Sequence, residues 1–119
     1  EACSVDAYSP LARSNLKAVK KIVLDKGLQL VFIQYPMRDI RALQAVFADD
    51  LDRDKIIFVD NGPVYRRAVS ERSYEEIFKD RANGNFGHGT REGNRILAEN
   101  VARAVLQRMP GKGRPAPAR

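Results

Sequence analysis

The sequence contains a single histidine, His88, in a glycine-rich segment that spans residues 83–89. Gly87 and Gly89 flank it, and Thr90, a residue type that starts helices, follows two positions later. An imidazole outside a packed core can act as a general base, because its pKa lies near working pH. The spacing therefore makes His88 a candidate catalytic base, and the alternative interpretation is a surface histidine in a glycine-rich turn.

Two apolar segments predict the strands that would position this loop. Residues 28–35 are nearly continuous in apolar side chains, which is typical of a strand buried on both faces of a parallel sheet, and residues 56–59 form a second such run. Between them, Asp39 can cap a helix that carries its apolar side chains on one side, namely Ile40, Leu43, Val46 and Phe47.

Two longer helices are predicted at the ends of the chain. Residues 9–27 begin with Ser9 and Pro10, which suit a cap and a first helical position, and end at Gly27. Thr90 opens the last helix and Pro110 ends it. Between residues 61 and 89 the pattern is irregular, with short helical pieces at 64–69 and 74–78 and a loop at 83–89.

This order of elements predicts a right-handed βαβ unit with flanking helices. A parallel sheet of only two strands leaves both edges open and buries little area. We therefore expect residues 1–110 to be part of a larger sheet, completed by a missing N-terminal half or by another chain. Residues 111–119 are rich in Pro, Gly and Arg and predict a disordered basic tail.

The segment around His88 resembles the last block of SGNH/GDSL-type serine hydrolases. Residues 88–98 read His-Gly-Thr-Arg-Glu-Gly-Asn-Arg-Ile-Leu-Ala, which is similar to the His-x-Thr-x-x-Gly-Asn/His-x-x-Ile/Leu-Ala pattern of that family. Residues 27–36, which end in Tyr-Pro, look like a late strand of that family, and residues 56–60, which end in Val-Asp, look like the strand that follows it. The resemblance covers roughly residues 11–108.

The resemblance implies a fold and a function. The fold is α/β, a three-layer αβα arrangement with a flavodoxin-like parallel sheet, of which this chain is the C-terminal portion. The function is that of an ester hydrolase that works through an acyl-serine intermediate, with His88 as its base and no cofactor. The expected substrate is a small-molecule or carbohydrate ester.

Two residues are candidates for orienting His88. The family's usual Asp three residues before the histidine is Asn85 here, which can accept a hydrogen bond but carries no charge. Replacing such an Asp by Asn in a serine protease triad costs about 10⁴ in turnover. Asp80, eight residues before His88, could reach the ring if residues 83–85 fold back. We favour Asp80 over Asn85; the alternative interpretation of Asp80 is a solvated charge.

The family's nucleophile block is absent from the sequence. The serines have none of its Gly-Asp-Ser context, and they are Ser4, Ser9, Ser14, Ser70 and Ser73. The nucleophile is therefore expected outside these residues. A second hypothesis follows from the same absence, namely a non-catalytic α/β module that binds a ligand or partner.

Other chemistries have weaker support. One His and one Cys cannot form a zinc site of the usual kind, and the aspartates at 49–54 lack the spacing of a calcium loop. The net charge of +6 falls to +3 without the last eight residues, and aromatic and basic residues do not interleave. We therefore expect no specific nucleic-acid binding, although a nucleic-acid binder acting through the tail is a third alternative. No apolar run is long enough for a membrane span.

Overall fold

The computed structural model describes residues 7–109. Within that range the chain forms five α-helices, one short 3-10 helix and two β-strands. In chain order these are α1 (Pro10–Asp25), β1 (Leu30–Ile33), α2 (Ile40–Val46), the 3-10 helix (Arg53–Lys55), β2 (Ile56–Val59), α3 (Gly62–Glu71), α4 (Tyr74–Ile77) and α5 (Arg91–Arg108). The fold thus combines helices with a two-stranded parallel sheet, which is compatible with the predicted α/β class. The predicted tail at residues 111–119 lies outside the described residues.

The predicted helix starts are confirmed by their capping hydrogen bonds. The Ser9 hydroxyl accepts from the Ala12 N–H at 3.1 Å, and the Asp39 carboxylate accepts from the Arg41 N–H at 2.8 Å. Each bond satisfies one of the backbone donors that the first turn of a helix leaves without a partner. Gly27 has a φ of 69°, the left-handed conformation expected of the glycine that follows α1.

The two strands pair in parallel, as predicted, in a register that runs from Leu30 opposite Ile56 to Ile33 opposite Val59. Strand β1 is shorter than the predicted segment 28–35, because β2 offers only four residues for pairing. The Tyr35 N–H donates instead to the Gln34 side chain at 2.9 Å. The expectation that this strand is buried on both faces was wrong at its end, where Ile33 is 49% exposed.

One face of the sheet packs against α1 and α2. Its buried cluster draws on both strands and on α2 and the residue after it, and comprises Leu30, Leu43, Val46, Phe47 and Ile56. Leu16 and Val23 of α1 pack on this cluster. Side chains alternate along a strand, so Ile57 and Val59 point to the opposite face, the side on which α5 contacts β2.

A second buried cluster lies under the candidate site. It comprises Tyr65 of α3, Ile77 of α4, Phe78 and Phe86, with Ile96 and Leu97 of α5 packed against it. Helix α3, at ten residues, is longer than the predicted piece 64–69, because Gly62 and Pro63 already belong to its first turn. None of the helices within residues 7–109 is long and apolar enough to cross a membrane.

Polar side chains join the carboxyl ends of the two strands to α5. The Asn61 amide, fully buried, donates to the Gln34 carbonyl oxygen at 2.7 Å, and the Asn100 amide donates to Asn61 Oδ1 at 2.8 Å. Asn100 also donates to the Asp60 carbonyl oxygen at 3.0 Å. Buried amides need such partners, so this network fixes α5 relative to the sheet edge from which the site is built.

Candidate active site

His88 lies in a loop that is closed by its own backbone hydrogen bonds. An isolated antiparallel bridge joins Phe78 to Gly89, and the Lys79 N–H donates to the His88 carbonyl oxygen at 2.8 Å. Inside the loop, the Asn83 N–H donates to the Phe86 carbonyl oxygen at 3.0 Å. These bonds fold residues 83–85 back, as the assignment of Asp80 required.

Asp80 and His88 are in direct contact. Asp80 Oδ2 lies 2.7 Å from His88 Nδ1, and Asp80 Oδ1 accepts from the backbone N–H groups of His88 and Ala82, each at 3.1 Å. The carboxylate therefore has three donors, two of which belong to the backbone of its own loop. The structure brings together the two residues that the sequence favoured, while their catalytic role stays a prediction.

The hydrogen bonds that Asp80 accepts also fix its charge. The bond from the His88 ring is the largest cause, and with the backbone bonds from His88 and Ala82 it lowers the pKa of Asp80 to about 2. An ionised carboxylate can only accept, so His88 Nδ1 is the donor in this contact, and in the neutral imidazole Nε2 then carries the lone pair. The His88 side chain is 74% exposed, which leaves that lone pair accessible to a reacting group.

Gly87 has a steric role that the sequence did not reveal. A Cβ at this position would lie 2.0 Å from the Asp80 carbonyl oxygen and 2.2 Å from Asp80 Oδ1. Real Cβ atoms do not approach other atoms so closely, so the loop needs glycine here to hold the carboxylate against the histidine. By contrast, Gly84 has open space around it and a φ of 85°, so conformation rather than crowding explains it.

Asn85, the second candidate, is not brought to the histidine ring. It is exposed at the tip of the loop, and no hydrogen bond joins it to His88 within residues 7–109. The reason is geometric: the turn that closes the loop lies at residues 81–86, and it carries Asn85 away while Asp80 occupies Nδ1.

Aromatic stacking places the loop at the carboxyl edge of the sheet. Phe86 is buried, and its ring stacks on Tyr35 with centroids 5.9 Å apart. Tyr35 follows the end of β1 by two residues, so His88 lies at the edge where ligands bind in open α/β sheets, as the sequence predicted.

The residues that follow His88 attach the loop to the helices behind it. The Thr90 N–H donates to the Ile77 carbonyl oxygen at 3.0 Å, and the Thr90 hydroxyl accepts from the Gly93 N–H at 3.1 Å. A Cβ on Gly93 would lie 2.2 Å from the Ile77 carbonyl oxygen, and the Tyr65 hydroxyl donates to the Gly93 carbonyl oxygen at 2.7 Å. The Thr and the Gly of the spacing His-x-Thr-x-x-Gly thus both contact Ile77 in this chain, and these contacts explain why they stand at those positions.

The serines that the structure describes have other partners. Ser9 and Ser73 cap α1 and α4, and the Ser70 hydroxyl donates to the Arg67 carbonyl oxygen at 2.8 Å. Ser14 lies within α1, and Ser4 lies outside the described residues. No hydrogen bond joins any of the four described serines to His88.

The aspartates after α2 bind lysines. Lys20 Nζ lies 2.6 Å from both Asp50 Oδ2 and Asp52 Oδ1, and Lys17 Nζ lies 2.7 Å from Asp50 Oδ1. Across residues 7–109 no group of three His, Cys, Asp or Glu side chains is arranged to hold a metal ion.

Comparison with protein-family models, with curated proteins and with solved structures found no match to this chain.

Proposed function

We propose that this chain supplies the histidine–aspartate part of an ester hydrolase of the SGNH/GDSL type, in which the nucleophilic serine comes from residues outside this sequence. The observation that carries the proposal is the Asp80–His88 contact of 2.7 Å at the carboxyl edge of a parallel sheet. A surface histidine in a glycine-rich turn would not need a carboxylate held by two backbone donors or a glycine packed against that carboxylate.

Each group has a defined task in this mechanism. His88 Nε2 takes the proton of the serine hydroxyl as the serine oxygen attacks the ester carbonyl carbon, and it returns that proton to the departing alcohol. A water then gives a proton to Nε2 and attacks the carbonyl carbon of the acyl-serine. As the bond between that carbon and the serine oxygen breaks, Nε2 returns the proton to the serine oxygen, which releases the acid and restores the hydroxyl. Asp80 holds the ring with Nδ1 protonated, and its negative charge stabilises the imidazolium that forms in both steps.

The proposed fold of the whole enzyme is a three-layer, flavodoxin-like αβα sandwich with this chain as its C-terminal portion. Two features support it. Strand β1 ends in a half-exposed Ile33, and one face of α1 presents Leu11 and Ile22 at 72% and 57% exposure. An additional strand beside β1, with its connecting helix, would cover both.

Substitutions in the full-length protein test the mechanism. His88→Ala should lower the rate of aryl ester hydrolysis by a factor on the order of 10³ or more, since base and nucleophile act as a unit. Asp80→Asn should lower it by about 10²–10⁴, because the ring loses its charged partner. Residues 1–119 alone should hydrolyse the ester no faster than their own His88→Ala variant.

Asn85→Ala is the matched comparison, because Asn85 belongs to the same loop without contacting the ring. Full activity in Asp80→Asn together with lost activity in Asn85→Ala would transfer the orienting role to Asn85. A full-length enzyme that is active and indifferent to His88→Ala would contradict the mechanism.

The second candidate function is a binding module without catalysis. The observation that favours it is the engagement of Ser9, Ser70 and Ser73 in capping and backbone hydrogen bonds, away from His88. Under this alternative, the full-length protein binds its ligand, and neither it nor residues 1–119 hydrolyses an ester.

A further inference from the structure

Two asparagines of this chain, Asn61 and Asn83, are each followed by glycine. An Asn–Gly pair can react with itself, because the backbone nitrogen of the glycine can attack the side-chain amide carbon and the glycine has no Cβ to hinder the approach. Larger residues follow the other asparagines, which are Asn15, Asn85, Asn94 and Asn100. The two Asn–Gly pairs have the same chemistry, so the fold decides which of them reacts.

The fold protects Asn61. Its side chain is fully buried, its amide donates to the Gln34 carbonyl oxygen at 2.7 Å, and its Oδ1 accepts from the Asn100 amide at 2.8 Å. Gly62 is the first residue of α3, and its N–H donates to Asp60 Oδ1 at 3.0 Å. An attack by the Gly62 nitrogen on Asn61 would therefore break all three hydrogen bonds and unwind the start of a helix.

Asn83 has none of these restraints. It is exposed, and its side chain forms no hydrogen bond within the described part of the chain. Gly84 has a φ of 85°, and a Cβ built on it would meet nothing within 4 Å, so there is room for a ring at this position. The Gly84 N–H is held by one hydrogen bond, to the Arg81 carbonyl oxygen at 3.0 Å. A single bond in an exposed turn opens by local fluctuation, whereas the start of a packed helix seldom does.

We propose that Asn83 is a site of spontaneous deamidation, and that its conversion to isoaspartate separates Asp80 from His88. The Gly84 nitrogen, after losing its proton to hydroxide, bonds to Asn83 Cγ. The bond from Cγ to the side-chain nitrogen breaks, and that nitrogen takes a proton from water and leaves as ammonia. Water then opens the five-membered succinimide. Breaking the bond from the Gly84 nitrogen to Cγ gives aspartate, and breaking the bond to the main-chain carbonyl carbon gives isoaspartate.

Isoaspartate lengthens the loop backbone by one atom. The Cβ of residue 83 enters the main chain, and the former main-chain carboxyl group becomes an exposed carboxylate. The loop cannot absorb the added atom easily, because Phe78 and Gly89 are bridged at its ends and Gly87 leaves no room even for a Cβ against Asp80. The added atom therefore displaces the residues that hold the Asp80 carboxylate. The reaction requires no nucleophilic serine, so the inference does not rest on the proposed function.

Ageing of the full-length protein at mildly alkaline pH tests the modification. Peptide mapping by mass spectrometry locates each amide that has become an acid, and an isoaspartyl methyltransferase labels the isoaspartate. In the folded protein, Asn83 should deamidate at least about tenfold faster than Asn61, and in urea the two rates should agree within about threefold. Asn85 is exposed but precedes Phe86, so it should react at least about tenfold more slowly than Asn83.

The isoaspartate form, separated by ion exchange, tests the effect on the loop. The pKa of Asp80 should rise, because its hydrogen bonds weaken and a second negative charge lies in the same loop. Ester hydrolysis should fall by about tenfold or more. Asn83→Gln, which would have to form a six-membered ring, should age without either change. Asn83→Asp carries the new charge without the added atom, and it should keep most of the activity.

Equal deamidation rates at Asn83 and Asn61 in the folded protein, or an isoaspartate form in which Asp80 titrates as in the parent, would overturn the inference. Its failure is distinguishable from that of the hydrolase. If ester hydrolysis depends on His88 and survives full conversion of Asn83, the hydrolase stands and this inference is wrong. If Asn83 converts, the pKa of Asp80 rises and no form hydrolyses an ester, this inference stands and the hydrolase is wrong.

Discussion

Asp80 divides its two carboxylate oxygens between different partners. Oδ2 faces the His88 ring, whereas Oδ1 is held by the N–H groups of His88 and Ala82. The orientation of the carboxylate is thus set by the loop backbone and does not depend on the ring. This arrangement predicts that the ring can be removed without releasing the carboxylate from its place.

We expect His88→Ala to raise the pKa of Asp80 from about 2 part of the way toward its ordinary 3.8. The ring hydrogen bond is the largest cause of the lowered value and is lost, while the backbone bonds persist. A pH titration of the carboxyl ¹³C resonance measures this change. A pKa that does not move in the variant would show that the ring contact is absent in solution.

Gly87→Ala should break the Asp80–His88 contact, because its Cβ would overlap the Asp80 carbonyl oxygen. We expect a loss of about 1–3 kcal/mol in the free energy of unfolding and a rise in the pKa of Asp80. Urea unfolding and the same carboxyl titration measure the two effects.

Gly84→Ala is the control for this substitution. Gly84 has open space around it, so alanine costs about 1–2 kcal/mol for its left-handed backbone and leaves the pKa of Asp80 unchanged. If both variants changed the Asp80 pKa equally, the steric explanation of Gly87 would be wrong.

At the scale of elements, what the sequence predicts well is local. Caps such as Ser9 and Thr90, and the apolar runs of the two strands, depend on neighbours within a few residues, and the structure confirms them. The crowding at Gly87 and the link from Asn61 to Asn100 depend on segments that meet only after folding. The periodicity of apolar residues carries no information on which segments contact one another in the fold. The sequence analysis therefore missed both contacts.

The contact between α1 and the loop after α2 depends on Lys20. Its side chain is 13% exposed, and its ammonium group bridges Asp50 and Asp52, whose hydrogen bonds raise the pKa of Lys20. We expect Lys20→Met to lower the free energy of unfolding by about 1–2 kcal/mol, since it leaves a partly buried Asp50 with one partner fewer. Urea unfolding at neutral pH measures the change.

Lys21→Met makes the same replacement one position along the helix. Lys21 pairs with Asp25 on the exposed side of α1, where solvent screens the pair, so its loss should cost clearly less than the loss of Lys20. Equal costs for the two variants would mean that the Lys20 bridge does not join the two elements.

At the scale of the molecule, acidic groups with lowered pKa values link stability to pH. Asp39, Asp80 and Glu92 each have a pKa of about 2, held down chiefly by hydrogen bonds from Arg41, His88 and Arg95 respectively. Their ordinary values are 3.8, 3.8 and 4.5. Because the folded values lie below the unfolded ones, this stabilisation is present above about pH 4.5 and is lost as the pH falls toward 2.

We therefore expect the urea concentration at the midpoint of unfolding to decrease as the pH is lowered from 5 to 2. A variant that combines Asp39→Asn, Asp80→Asn and Glu92→Gln should show a shallower fall, because it has fewer carboxylates to protonate. Identical slopes for the variant and the parent would assign the acid sensitivity to other groups.

The hydrogen bonds that close the loop on itself have a consequence for engineering. Residues 78–89 return to their starting point, with Phe78 bridged to Gly89, and they contain the histidine, its carboxylate partner and the glycine that fits between them. The ends of this segment meet, and its own backbone donors hold the carboxylate, so it can be transferred as a unit together with apolar partners for Phe78 and Phe86. It can be grafted between a short helix and a long one in another α/β scaffold, where an oriented imidazole would arrive with twelve residues.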